Sequence, residues 1–401
     1  MEKLSIEDLD MRGRIVLMRV DFNVPLDRGR VVSDKRIRAA IPSIRHVIEA
    51  GGRLILISHL GRPKGRPVVE MSLEPCAGAL GRLIDRSVEF VSDCQGPAVK
   101  SAVEVLQPGS VLMLENLRFY SQETENDAEF SRQLAALADM YVNDAFGTAH
   151  RAHASTVGVT RFLAPCAAGY LMKKELDYFA ALLTDYRRPF VAILGGAKVS
   201  GKIEVIEHLL PKVDRLLVGG GMAFTFLRAR GFEIGRSLLE PEKLSLAEDL
   251  MRAAGEKIFL PEDCVVTEAL DLSTRTVGPL SAVDAGAIPP EARGVDIGPR
   301  TVSRFQEELK TARTVVWNGP MGIFEIPAAA AGTFAVARAL AAATQAGATT
   351  VVGGGDSAAA IQAAGAAEDV SHVSTGGGAS LELLQGRKLP GVEALTDRPA
   401  A

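Results

Sequence analysis

Arginines recur where apolar runs end in the first half of the chain: at Arg19, Arg62 and Arg118, and a little further on at Arg151. One arginine at a strand end is routine. Four in successive turns, with Arg36 and His59 beside them, repel one another unless an anion is held among them. In an extended Arg19-Val20-Asp21-Phe22-Asn23 the side chains of Arg19, Asp21 and Asn23 share one side. They offer a cation, a hydroxyl acceptor and an amide, which suits a hydroxy-acid and equally makes a solvated strand end with an Arg–Asp pair. Gly61 and Pro63 fix a turn around Arg62, and His59 and Arg62 can both donate to phosphate. The stretches Glu115 to Phe119 and Asn143 to Arg151 repeat the arrangement, and Arg36 stands near a helix start that Ser33 or Asp34 can cap. Together these residues point to a small, multiply charged anion.

In the second half, glycine takes over. Gly195-Gly196, Gly219-Gly220-Gly221 and Gly353-Gly354-Gly355 each follow an apolar run, while Gly376-Gly377-Gly378 precedes a helix-like segment beginning at Leu381. Glycine-opened strand ends and helix starts leave backbone N–H groups free for phosphoryl oxygens. Gly196 to Lys202 fits most of a P-loop, but Ile203 stands where the magnesium-binding hydroxyl belongs. The P-loop reading is therefore rejected, and Lys198 and Lys202 remain as phosphate-binding cations. Asp356 suits a magnesium–nucleotide and would serve equally as a helix cap. Asn318 to Gly322 form another ligand-edge turn, with Glu325 available to a ribose hydroxyl. A nicotinamide-dependent dehydrogenase is disfavoured, because no G-x-G-x-x-G fingerprint opens the chain. One half suits a phosphorylated metabolite and the other a nucleotide.

Short Val-, Ile- and Leu-rich runs at 15–20, 54–58, 111–114, 190–194, 215–218, 314–317 and 349–352 read as strands. Segments with helical spacing lie between most of them, including 37–50, 127–139, 202–210 and 332–346. Alternation of this kind predicts an α/β chain with doubly wound, largely parallel sheets whose ligands bind outside the carboxyl ends of the strands. At 401 residues, the length gives two domains, or three. The boundary falls in 165–188, where Met172, Leu176, Phe179 and Leu183 recur at helical spacing and predict a packed connecting helix. The stretch 271–300, rich in Pro, Gly and Asp, reads as an irregular loop. A net charge of −4 argues against nucleic acid or an anionic membrane as partner. The 4 scattered cysteines and 6 histidines show no disulfide or zinc spacing. With a charged N-terminus lacking a signal core, the expectation is a soluble cytoplasmic protein.

A kinase acting on a hydroxyl needs a base, and only Asp21 stands near the arginines. A carboxylate nucleophile needs none, since it is ionised at neutral pH. What remains is to position it and to neutralise spread-out negative charge.

The motifs RVDFNVP (19–25), SHLGRP (58–63), ENLRF (115–119), VNDAFGTAHRAH (142–153), LGGAKVSGKI (194–203), GGGMAFTFL (219–227), DIGPRT (296–301), WNGPMGIFE (317–325), GGGDSAAA (353–360) and STGGGASLELL (374–384) resemble the phosphoglycerate kinase family, in order, from residue 14 to about 396. The resemblance implies two doubly wound lobes joined by an interdomain helix and hinge. Residues 1–169, completed by 386–401, would bind phosphoglycerate; 170–188 would be the interdomain helix and linker; 189–385 would bind nucleotide. It further implies a cytoplasmic, hinge-bending monomer that moves phosphoryl reversibly between 1,3-bisphosphoglycerate and ADP, giving 3-phosphoglycerate and ATP with Mg2+.

Carried over onto this chain, Asp21, Asn23, Arg36, His59, Arg62, Arg118 and Arg151 would bind the glycerate and its 3-phosphate. Arg36, Lys198, Gly376, Gly377 and Gly378 would serve the transferred group. Gly195, Gly196, Lys198, Lys202, Gly219, Gly220, Asn318, Glu325, Gly353, Gly354, Gly355, Asp356 and Ser357 would form the nucleotide site, with Asp356 on magnesium. Leu389 to Leu395 would fold back onto the first lobe. One departure stands out: the family usually reads Asp where this chain has Gly201. The loop should be more flexible and more positive for it, with activity retained because both lysines remain.

Overall fold

Runs that are apolar on both faces become strands only where both faces are covered. Val16, Leu17 and Met18 are fully buried, as are Leu54 to Ile57 and Phe190 to Leu194. The structure is a computed structural model and describes residues 3–399. Its contacts divide into two compact units, one running to Asp177 and resumed from Lys388, the other Tyr178–Arg387.

The first unit holds a parallel sheet of β1 (Ile15–Arg19), β2 (Arg53–Ile57), β3 (Val88–Val91), β4 (Val111–Leu114), β5 (Met140–Asn143) and β6 (Cys166–Ala168). Their spatial order is β3-β4-β2-β1-β5-β6. All its strands run the same way, so the turns after β1, β2, β4 and β5 lie along one edge. Helix α1 (Lys35–Glu49) lays Ile37, Ala40, Ile44 and Val47 into the core beside Val16 and Leu54. Helix α2 (Tyr170–Leu183) spans the division between the units. The chain's last turns return to the first unit: Thr396 N donates to Cys166 O at 2.9 Å, Gly391 N to Ala149 O at 2.8 Å, and Leu389 and Leu395 are buried.

The second unit follows with β7 (Phe190–Leu194), β8 (Arg215–Val218), β9 (Ile258–Phe259), β10 (Asp263–Thr267), β11 (Ser281–Asp284), β12 (Arg293–Ile297), β13 (Thr314–Asn318), β14 (Thr349–Val352) and β15 (His372–Val373). Its parallel sheet is ordered β9-β8-β7-β13-β14-β15, so the strand order reverses between β7 and β13. A doubly wound sheet binds its ligand at such a switch point. The backbones there nearly touch: a Cβ on Gly195 would stand 2.1 Å from Pro320 O.

The reading of 271–300 as an irregular loop is corrected. Strands β10, β11 and β12 form an antiparallel sheet, and Leu270–Asp271 pairs with Thr276–Val277. The residues of β11 are mostly exposed, so no apolar alternation marks it as a strand. Among the described residues no helix is long and apolar enough to cross a membrane.

Candidate active site

In the first unit, the turns beyond the strands are stapled to one another. Arg36 Nη1 donates to both oxygens of Asp21, at 3.1 and 3.0 Å, and to Asn23 O at 3.1 Å. Gly61 N donates to Asn23 Oδ1 at 2.9 Å, and Arg118 Nη1 donates to Gly61 O at 2.8 Å. The structure thus gathers Asp21, Asn23, Arg36, His59 and Arg118. Arg62 and Arg151 lie exposed on the same edge, with Arg151 Nε against His150 Nε2 at 3.1 Å. Burial and then the charge of Arg19 pull the Arg118 guanidinium down to about 10, which leaves it charged at neutral pH.

Arg19 requires a correction: it does not join the exposed anion cluster. It is fully buried, donating Nε to Ser155 Oγ at 2.9 Å, Nη2 to His59 Nδ1 at 3.0 Å and Nη1 to Val20 O. Arg19 is still inside the sheet, in register with Ile57 and Asn143, whereas Asp21 and Asn23 lie beyond it and are half-buried. Behind Arg19, Glu123 accepts from Ser155 through both oxygens, from Oγ at 2.6 Å and from N at 2.9 Å. Glu123 lies in the polar run Ser121 to Asp127, and nothing in its spacing marks it as buried.

Burial and then Arg19, Arg118 and Arg36 hold His59 well below the usual imidazole range; burial and then Arg19 hold His153 at about 4. Both are neutral at pH 7. A depressed histidine contributes stability above its unfolded pKa of 6.5 that is lost as pH falls through the folded value. Asp144, raised to about 6 by burial, works the other way, adding stability as pH falls from there toward 3.8. His153→Asn should therefore lose less stability between pH 6.5 and 4 than the parent, by on the order of 2 kcal/mol. Equal slopes in a pH series of thermal melts would exclude this account.

In the second unit, Lys202 Nζ donates to Asn318 Oδ1, and Asn318 Nδ2 donates to Gly353 O at 2.8 Å. Gly319 N donates to Ser357 Oγ at 2.6 Å and Gly354 N to Ser380 Oγ at 3.2 Å. These bonds tie the end of β13 to the starts of two helices, Gly355–Ala363 and Gly377–Leu384. The two starts are so close that a Cβ on Gly377 would stand 3.0 Å from Gly355 N. Paired helix N-termini concentrate free N–H groups and positive dipole ends, an arrangement made for phosphate. Lys198 is exposed, and Ser200 is anchored to Glu240, N to Oε2 at 3.1 Å and Oγ to Oε1 at 2.5 Å. Burial works against the Glu240 carboxylate, but the bonds from Ser200 and Val199 and the charge of Lys198 bring it below its usual range.

A cavity of about 520 Å³ opens beside these turns, lined by Gly196, Gly220, Leu238, Pro320, Met321, Glu325 and Asp356 among others. It has the size of a nucleoside site and mixed apolar and polar walls. Gly195 and Gly219 do not line it. They pack tightly behind, with Cβ positions 2.1 Å from Pro320 O and 2.5 Å from Met321 Sδ. Asp296, to which the sequence reading assigned no role, does line it, and burial raises its carboxyl to about 7. Among the described residues no three His, Cys, Asp or Glu gather as a metal cage. Asp356 stands exposed in the first turn of its helix. One carboxylate beside a phosphate cradle fits magnesium carried in by a nucleotide.

A family model described as phosphoglycerate kinase matches residues 6–387. The chain is 56% identical to the phosphoglycerate kinase of Chlorobaculum tepidum, over 99% of this chain and 100% of that one. It is 54% identical to that of Synechococcus elongatus, over 98% of each. Among solved structures it is similar to phosphoglycerate kinase from Coxiella burnetii, at a TM-score of 0.89 and 38% identity over 98% of each chain. The enzyme from Pyrococcus horikoshii matches at a TM-score of 0.82 and 33% identity, over the same shares. By sequence, over nearly its full length, and by fold, this chain is an enzyme of the phosphoglycerate kinase family.

Proposed function

We propose that the chain transfers phosphoryl reversibly between the acyl phosphate of 1,3-bisphosphoglycerate and ADP, giving 3-phosphoglycerate and ATP. The observation that carries the reading is Arg36 in the first turn of α1, its Nη1 spent on Asp21 and Asn23 while Nε and Nη2 make no hydrogen bond among the described residues. In this reading Asp21 and Asn23 take the glycerate hydroxyl and carboxyl, and His59, Arg62, Arg118 and Arg151 take its phosphate. Lys198, Lys202 and the backbone of Gly376 to Gly378 hold the transferring group. Gly196, Gly220 and Glu325 take the nucleoside, and Asn318, Gly353 to Gly355 and Ser357 shape the phosphate edge. Asp356 would hold magnesium, which supplies charge neutralisation between the nucleotide phosphates. The attacking carboxylate needs no base, so these side chains only bind, orient and neutralise. An acyl phosphate hydrolyses unless water is excluded, so closure of the two units belongs to the proposal, as do a monomeric state and a cytoplasmic location.

The test is ATP consumption with and without 3-phosphoglycerate, trapping the acyl phosphate with hydroxylamine. Hydroxamate formed only with 3-phosphoglycerate supports the reading. Binding of both ligands without hydroxamate would overturn it.

Two further expectations follow for the nucleotide side. Burial, partly offset by Asp356, lowers the Lys202 ammonium to about 8. Phosphate binds the charged form, so ligand-free protein above that pH must take up a proton to bind. Nucleotide affinity should hold from pH 6.5 to 7.5 and weaken about fivefold from 8 to 9, with Lys202→Arg abolishing the trend. A flat calorimetric profile for the parent would count against it. Gly201 has nothing within 4 Å of a built Cβ, so Gly201→Asp fits without strain. Turnover should change only modestly. A gain of about 100-fold, or about 2.7 kcal/mol of barrier, would show that the missing carboxylate matters.

A further inference from the structure

Beneath the arginine edge runs a buried chain of hydrogen bonds whose donors and acceptors can be assigned without ambiguity. Arginine only donates, so at the 3.0 Å contact between Arg19 Nη2 and His59 Nδ1 the imidazole nitrogen must accept. Arg19 Nε likewise donates to Ser155 Oγ, which spends its own proton on Glu123 Oε1 at 2.6 Å. The second Glu123 oxygen takes Ser155 N–H at 2.9 Å, so both carboxylate oxygens accept from Ser155, with His153 Nδ1 further off, 3.8 Å from Oε1. Arg19, Glu123 and Ser155 are fully buried and His59 nearly so. Read outward, the order is carboxylate, hydroxyl, guanidinium, imidazole.

We infer that Glu123 and Ser155 are positioning residues for His59: acting through Arg19, they fix its Nε2–H tautomer and so present a neutral N–H donor to the phosphorylated substrate. The inference rests on the reading that His59 contacts that substrate. A histidine free to choose its tautomer would offer a lone pair to phosphate part of the time, and a lone pair repels phosphate oxygen. Arg19 blocks that choice, because only an unprotonated Nδ1 can face its N–H at 3.0 Å, while Asp21 Oδ1, the acceptor that also faces Nδ1, stands at 4.0 Å, beyond hydrogen-bond reach. Arg19 in turn holds its place because Ser155 accepts its Nε–H and Glu123 places a negative charge behind it. Outer partners that orient metal-bound histidines change affinity by about 10- to 100-fold when removed, and the low end of that scale is expected here.

The variants are Ser155→Ala, which deletes the hydroxyl link, and Glu123→Gln. In the latter the amide NH2 must either face Ser155 N–H, donor against donor, or donate to Ser155 Oγ and leave the hydroxyl proton without its acceptor. Nitrogen-15 histidine spectra of the ligand-free parent at pH 7 should show His59 with a protonated Nε2 and an unprotonated Nδ1. In Ser155→Ala the spectra should show mixed tautomers, with KM for 3-phosphoglycerate about tenfold higher and kcat within about threefold. If Glu123→Gln fails to fold, Ser155→Ala carries the test alone. An Nδ1–H tautomer in the parent overturns the inference. So does a variant that melts earlier while tautomer and KM stay put, which is what a merely structural role would give. A tautomer that shifts with KM unmoved supports the relay and refutes instead the assignment of His59 to the substrate.

Discussion

Arg36→Ala should lower turnover about 1000-fold while leaving the melting temperature nearly unchanged. The expected loss corresponds to about 4 kcal/mol of transition-state stabilisation, the range found when an arginine is removed from a transferring phosphoryl group. Little stability is at stake, because the Arg36 side chain is 39% exposed and its bond to Asp21 is a half-solvated pair worth at most about 1 kcal/mol. Arg36→Lys should recover little. In the parent, Nη1 serves Asp21 and Asn23 O, which leaves the rest of the guanidinium for the proposed substrate. A lysine has one nitrogen and cannot do both. Hydroxamate formation and thermal melting on the same preparations decide it. A loss below tenfold would remove Arg36 from the transferring group, and a large drop in melting temperature would make it a structural residue.

Gly319→Ala should be the most destabilising of the glycine substitutions near the switch point, by about 3–5 kcal/mol. Gly319 adopts φ of +101°, in the left-handed region, and a Cβ there would stand 2.2 Å from Gly195 O. The turn cannot move away. Gly319 N donates to Ser357 Oγ at 2.6 Å, Gly319 O accepts Trp317 Nε1–H at 2.7 Å, and Gly195 N is bound to Asn318 O at 3.0 Å. For a unit of this size the loss lowers the melting temperature by about 10 °C. Gly201→Ala is the matched control, since Gly201 has open space and no positive φ, and should melt within about 2 °C of the parent. Scanning calorimetry of the two proteins side by side gives the comparison. Equal melting temperatures would mean that the β7 and β13 turns can part at little cost.

The strands were legible where both faces are apolar. β4, β7, β8 and β14 occupy the residues that read as strands, because a strand buried on both faces leaves a continuous Val, Ile and Leu run. Strands β9 and β15 are two residues long, too short for any period to register. In the candidate site, Asp21, Asn23 and Arg36 were found as residues but not as a bonded group, since Arg36 arrives from a helix. Among the glycines, spacing could not separate those that open onto the cavity, such as Gly220, from those that pack behind it, such as Gly219.

By itself, the amino-acid sequence determined the family, the parallel α/β architecture and the contrast between an arginine-rich and a glycine-rich half. Each of these rests on residue type and on spacing along the chain, which the backbone carries directly into strands, turns and helix starts. Only the tertiary structure decided which charges face a ligand and which are internal. Arg19 and Ser155 meet across 136 residues, and Glu123 reaches Ser155 across 32, from a short helix of polar residues. A charge enters the interior only where partners converge on it in space, and that convergence leaves no period in the sequence. The arginine that reads as the first member of the anion cluster is therefore the one that holds His59 from behind.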